Sequence, residues 1–358
     1  MIALNTTAVA WVIFAVVLVG WITYYFLNNA AARKELGSEV EMAPNRKPYY
    51  DDEVLEGRRL ERMQLLGVLL LVTMVIGLPV YWILEPGRQA GAQDYKHEQF
   101  IGWGEDLFQT TANGGFNCAG CHGGLSATGG QAPYAVTDPK TGEVRAVNWF
   151  APALDTVFYR FSKEEVRFIL NYGRPFSPMS AWGAPGGGPM TAQNIETLLV
   201  YLESIQKQPE GCISDVSFSA TADPSVCDGG TLPAATQDEI QKAVDTYLTQ
   251  NPGASEGEAL FNLDLASGAY SCARCHTQGW SYGDPGVTGQ GAFGWNLTGG
   301  ATNSHFPTEA DMISFIKSGS SNGKKYGMQG QGSGRMPGFG HMLSDEQIKA
   351  LVEYVRSL

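Results

Sequence analysis

The chain has 358 residues, 44% of them hydrophobic, and a formal net charge of −12, which is enough for two or three compact units together with membrane segments. No run of Lys and Arg interleaved with aromatics offsets this acidic balance, so a nucleic-acid-binding role is excluded. No nucleophile elbow, phosphate loop or metallohydrolase motif occurs either, and no substrate chemistry of the chain's own is expected.

Two uncharged apolar runs open the chain. The first, Ala8 to Leu27, lies in a stretch without a single charge from Met1 to Ala32; the second, Met63 to Leu84, closes on Tyr81 and Trp82, which suit a membrane interface. About twenty helical residues rise roughly 30 Å, the thickness of the hydrocarbon core. Residues 1–32 are therefore predicted to hold one transmembrane helix with its flanks, and 63–84 a second. A cleavable signal is the alternative for the first run, but it lacks a basic leading region and a small-x-small site. The loop 33–62 carries Arg33, Lys34, Arg46, Lys47, Arg58, Arg59 and Arg62, whereas the N-terminal flank carries no Lys or Arg. The positive-inside rule makes this loop cytoplasmic and puts the N-terminus and everything after Leu84 outside the cell membrane. Residues 85–95 are predicted as a tether.

Beyond the tether the six cysteines dominate. Cys118-Ala119-Gly120-Cys121-His122 and Cys272-Ala273-Arg274-Cys275-His276 share one pattern. Two thiols three positions apart can each add to a vinyl group of one porphyrin, and the adjacent imidazole then falls beneath the iron. Both pentapeptides read as c-type haem attachment sites, giving two haem c groups. A zinc site assembled from the two Cys pairs is the rival reading; such modules need neither the adjoining His nor an extracytoplasmic address.

The attachment sites are 154 residues apart, and other features repeat at nearly that offset. Gly104 to Phe108 and Gly257 to Phe261 are predicted leading helices. A capping box at Ser162 and Glu165 opens a short helix, and Thr308 caps its counterpart. Amphipathic helices from Ile195 to Ile205 and from Ser344 to Leu358 close the two halves, the second with a capping box at Ser344 and Gln347. No strand pattern competes with these helices. The domains are thus predicted at 96–206 and 251–358. The intervening 207–250 reads as a linker, turn-rich from Lys207 to Ala235, and its Cys212 and Cys227 are expected to form a disulfide, with two unlinked thiols as the alternative.

A haem that passes electrons needs a sixth ligand opposite His122 and His276. Met179 and Met336, set among Gly and Pro, lie 57 and 60 residues after their histidines and are the expected ligands; Met190 and Met328 are the competing methionines. Pro152 is expected to orient His122 through its carbonyl, and Leu154 and Leu297 to press on the haem faces.

These motifs, Cys118-x-x-Cys121-His122 with Met179 and Cys272-x-x-Cys275-His276 with Met336, resemble class I cytochrome c domains over Lys96 to Ile205 and Asn251 to Leu358. The resemblance implies an all-α fold class: two N-terminal transmembrane helices followed by two tandem class I cytochrome c domains. The tandem pair on a membrane anchor resembles the dihaem cytochrome cc subunit of actinobacterial-type menaquinol:cytochrome c reductase, whereas the N-terminal anchor is similar to that of the dihaem subunit of cbb-type oxidases. It implies electron transfer in a respiratory chain, with integral cytochrome b and Rieske iron-sulfur subunits or a terminal oxidase as partners. A soluble cytochrome c is a further expected partner. A dihaem peroxidase and a cytochrome subunit of a periplasmic dehydrogenase are the remaining alternatives.

Overall fold

The computed structural model describes residues 15–27, 57–137, 141–174, 177–207, 231–320 and 335–358. Cys212, Cys227 and Met328 lie outside them, as does most of the loop 33–62. The chain divides into two compact units, Met1–Glu85 and Pro86–Leu358.

In the first unit, the described residues Ala15–Leu27 form an apolar helix, α1; the rest of the first expected span falls outside the described residues. Helix α2 (Arg58–Phe108) runs for 51 residues. Its best 18-residue window has a mean hydropathy of 2.3 and is wholly exposed, so this helix fits a membrane anchor. Among the described residues it is the one helix long and apolar enough to cross a membrane, where two spans were expected. Residues 85–95, expected as a tether, are helical, since Pro86 and Gly87 are followed by helix formers such as Arg88, Gln89, Ala90 and Ala92. The leading helix expected at Gly104 to Phe108 is the last turn of α2.

In the second unit α3 (Cys118–His122) is followed by strands β1 (Gly130–Thr137) and β2 (Val144–Ala151), then α4 (Lys163–Tyr172) and α5 (Ala192–Ser204). Next come α6 (Ala234–Gln250), α7 (Glu256–Phe261), α8 (Ala273–His276), α9 (Glu309–Ser318) and α10 (Asp345–Ser357). The capping boxes at Ser162/Glu165 and Ser344/Gln347 are both formed, and Thr308 caps α9 by accepting from the Asp311 N–H. Each satisfies a backbone donor that the first turn leaves open.

Two findings depart from the expected layout. The fold is mostly helical but not all-α: β1 and β2 pair antiparallel, with Ala132 opposite Trp149 and Tyr134 opposite Val147. What holds the hairpin is the buried Trp149, packed 5.6 Å from the Tyr134 ring, 5.8 Å from Tyr282 and 6.1 Å from Phe293. The expected linker, too, ends in helix α6, which buries Thr236, Ile240 and Val244 at a four-residue spacing.

Two apolar clusters form the interior. Phe108, Val157, Phe161, Leu170, Met190, Leu198 and Leu202 centre one; Leu260, Phe261, Met312, Ile316, Ile348 and Leu351 centre the other. Each fully buried Leu or Ile contributes about 1.5–3 kcal/mol. The second cluster also takes in Ala153 and Tyr159 from the first half, and the Ala153 N–H donates to the Ala266 carbonyl at 3.1 Å. The halves therefore share a packed seam. Within each half the leading helix crosses the closing one at a glycine: a Cβ on Gly104 would overlap Tyr201, and one on Gly257 would overlap Tyr354. Phe108 then lies 5.3 Å from the Tyr201 ring and Phe261 5.6 Å from Tyr354.

Candidate functional site

The first pentapeptide is one turn of helix between two left-handed residues, Asn117 (φ 68) and Gly123 (φ 88). That turn places Cys118 and Cys121 on one face, three positions apart. Gly123 is required where it is, because a Cβ would run into the Gly129 backbone, whose N–H donates to the His122 carbonyl at 2.8 Å. His122 is buried, and its Nδ1 lies 2.7 Å from the Pro152 carbonyl oxygen. A carbonyl only accepts, so Nδ1 carries the proton and Nε2 keeps a free lone pair. Burial pushes the His122 pKa down to about 4; the Pro152 carbonyl opposes this, and Arg274 and Arg160 add to it. The ring is neutral at neutral pH, as an iron ligand must be.

The second pentapeptide repeats the device with a different partner. His276 Nδ1 lies 2.8 Å from the Trp295 carbonyl, and burial again lowers its pKa, the Trp295 carbonyl acting the other way. The loop is pinned at both ends: the Gly291 N–H donates to the His276 carbonyl at 2.8 Å and the Gly294 N–H to the Cys275 carbonyl at 2.7 Å. Gly294 packs so closely that a Cβ would stand 2.6 Å from His276 Cε1. The Pro152 contact matches the sequence expectation, whereas Trp295 was missed. Its one signal is position, since it precedes Leu297 by two residues as Pro152 precedes Leu154.

Cys118, Cys121, Cys272 and Cys275 are half-buried, and none of them is in a disulfide. Burial pushes the Cys118 and Cys272 thiols up to about 12 and raises Cys121 as well. Among the described residues no three His, Cys, Asp or Glu side chains converge as a metal cage, which leaves the zinc rival without its geometry.

The methionines sort by half. Met179, Cys118 and Leu154 all pack on the first apolar cluster, and Met336, Cys272 and Leu297 on the second. Met190 is completely buried in the first core, and its N–H donates to the Trp182 carbonyl at 2.8 Å.

Sequence reasoning also overlooked a group of arginines at the seam. Arg160 is 8% exposed; its Nη2 donates to the Ala153 carbonyl at 2.8 Å, while its Nε has no partner. Arg174 lies 4.9 Å from the Phe161 ring centroid. Arg274 comes from the other half and donates to the carbonyls of Phe150 (2.8 Å) and Ser267 (3.0 Å). Burial lowers all three guanidinium pKa values; repulsion from Arg174 adds to this at Arg160, from Arg335 at Arg174, and from Arg160 and Arg174 at Arg274. A desolvated cationic group with an unused donor is matched by carboxylates, and a haem carries two. The residues present fit that group: paired thiols, a neutral imidazole with Nε2 free, an apolar wall and a cationic edge.

Comparison with known proteins locates one of these units. The cytochrome c family model matches residues 254–358, so this region is a cytochrome c domain, which implies covalently bound haem c and haem-based electron transfer. No curated protein and no solved structure matches the chain.

Proposed function

We propose that the chain passes electrons through two covalent haem c groups, one in each half, as the dihaem subunit of a respiratory membrane complex. The observation that carries this reading is that the first half builds the same arrangement as the cytochrome c domain at 254–358. Each has a Cys pair, a histidine tied through Nδ1 to a backbone carbonyl, and a methionine on the same apolar cluster as the first cysteine. The glycine-on-tyrosine helix crossing is common to both.

When bound, haem c supplies one-electron chemistry between ferrous and ferric iron. Cys118 with Cys121, and Cys272 with Cys275, would hold it covalently. His122 and His276 would ligate the iron through Nε2, their carbonyl partners fixing the imidazole's orientation and raising its basicity. Met179 and Met336 would supply a soft thioether, which favours the ferrous state and a high potential. The apolar clusters keep water from the haem faces.

The complex we favour is a bc-type menaquinol:cytochrome c reductase or its supercomplex with a terminal oxidase, with integral cytochrome b and Rieske subunits as neighbours. The haem halves lie outside the membrane in this reading. An anchor ahead of both halves, α2, is the feature that favours the second reading, the electron-entering subunit of a cbb-type oxidase. Two measurements test the proposal. Acid-acetone-washed, denatured chain should retain two haems by pyridine haemochrome assay; one or none overturns the dihaem reading. Mild detergent extraction should bring down a quinol-site cytochrome b, whereas recovery of a haem-copper oxidase alone selects the second reading.

A further inference from the structure

The two methionine loops are held differently. Met179 is secured by its own half: its carbonyl accepts from the Arg174 N–H at 2.8 Å and its N–H donates to Ser177 Oγ at 3.2 Å. Met336 is held partly by its own half, through the Met336 N–H to Ser320 Oγ (3.1 Å) and the Ser320 N–H to the Met336 carbonyl (3.0 Å). The remaining hold comes from across the seam. Arg335, its chain neighbour, points into the first half and meets Glu165 as a two-pronged pair, Nε with Oε1 and Nη2 with Oε2 at 2.8 Å. Nη2 also donates to the Arg160 carbonyl at 3.2 Å. Only 12% of the Arg335 side chain and 15% of the Glu165 side chain is exposed.

Glu165 is itself fixed before Arg335 arrives. It is the third residue of α4, and its Oε2 accepts from the Ser162 N–H at 3.0 Å in the capping box. The residue at the same position of α9 is Asp311, which is one carbon shorter and uses its carboxylate locally on Thr308 Oγ1 at 2.6 Å. Arg174, the arginine ahead of Met179 in the first half, stands five residues before it rather than next to it, and lies against the Phe161 ring instead. The anchoring is therefore one-sided: the first half grips the second half's methionine loop.

We propose that Glu165 is a positioning residue for the sixth ligand of the second haem, holding the Met336 loop seated through Arg335. This rests on the reading of Met336 as that ligand. Removing the carboxylate charge leaves Arg335 desolvated beside Arg160 and Arg174, so the guanidinium is driven to solvent and draws the Met336 backbone with it.

The test uses the full-length, haem-loaded chain in detergent. In the ferric state, the sulfur-to-iron charge-transfer absorbance is followed while imidazole displaces methionine, giving one phase per haem; Met336→Leu identifies the second haem's phase. Glu165→Gln, which keeps a capping acceptor, should shift that phase to about tenfold lower imidazole, leaving the other phase and the haem content unchanged. Arg335→Gln should shift the same phase, and the double variant no further than the larger single. If Met336→Leu removes no charge-transfer absorbance, ligation by Met336 falls and the proposal with it. If it does but Glu165→Gln shifts neither phase, or both alike, or the two substitutions add, the anchoring alone is overturned.

Discussion

Gly257 crosses beneath Tyr354 with no room for a methyl group: a Cβ on the glycine would overlap the tyrosine Cβ and the Ala350 carbonyl. Gly257→Ala therefore forces α7 away from α10 and should destabilise the fold by about 1–3 kcal/mol. Gly104→Ala, against Tyr201 and the Thr197 carbonyl, should cost a similar amount. Denaturant midpoints of the two variants check this, with Gly102→Ala, where a Cβ meets nothing, as the neutral control.

Cysteine substitutions should act on one haem at a time. Cys118→Ala with Cys121→Ala should halve the covalent haem of the washed chain, and Cys272→Ala with Cys275→Ala should remove the other half. Haemochrome absorbance per polypeptide measures both.

Of the first half's methionines, Met190 has the core position and Met179 packs, partly buried, against the same apolar cluster as Cys118. Met190→Leu conserves volume and should cost under about 1.5 kcal/mol without altering either haem's spectrum. Met179→Leu should abolish the sulfur-to-iron band of one haem and lower its potential. A change in that band in Met190→Leu would exchange the two assignments.

Acid should loosen the seam. Burial alone would raise the Glu165 pKa, but the hydrogen bonds from Arg335 and Ser162 outweigh it and hold the carboxyl below its usual range. Above the ordinary carboxylate pKa the unfolded and folded chains both carry the charge and the pair contributes in full. As pH falls from there through the lower folded value, the unfolded chain binds the proton first and that contribution is lost. Stability measured by denaturant against pH should fall in this window, and Glu165→Gln should flatten the curve.

The sequence after Leu84 carries more acidic than basic residues. Reduction of a basic soluble cytochrome should slow as ionic strength rises. A rate independent of salt in stopped-flow mixing would leave the acidic surface with no steering role.

Much of the fold could be read locally. Ser162 with Glu165 and Ser344 with Gln347 announce their helices because a capping box is complete within four residues. The paired cysteines and their adjoining histidines were visible for the same reason. What escaped depends on distant contacts. The β1/β2 hairpin buries Ala132, Trp149 and Ala151 and little else, so no alternating pattern marks it; Trp149 is held by Tyr282 and Phe293 from the other half. Helix α6 fully buries only Thr236, Ile240 and Val244, with Ala243, Tyr247 and Leu248 partly buried beside them, and Gln, Asp, Glu, Lys and Thr interrupt its apolar positions. Arg160, Arg174 and Arg274 stand apart in sequence, and Arg274 meets the other two only when the halves dock.

Ala153 and Tyr159 of the first half are buried among the side chains of the second, so the halves are docked rather than strung together. A carrier that swings between donor and acceptor slows in a viscous medium and quickens with a longer hinge. If both halves carry haem as proposed, the gap between them is set at folding, and the internal electron hop should ignore both glycerol and insertions between residues 207 and 231.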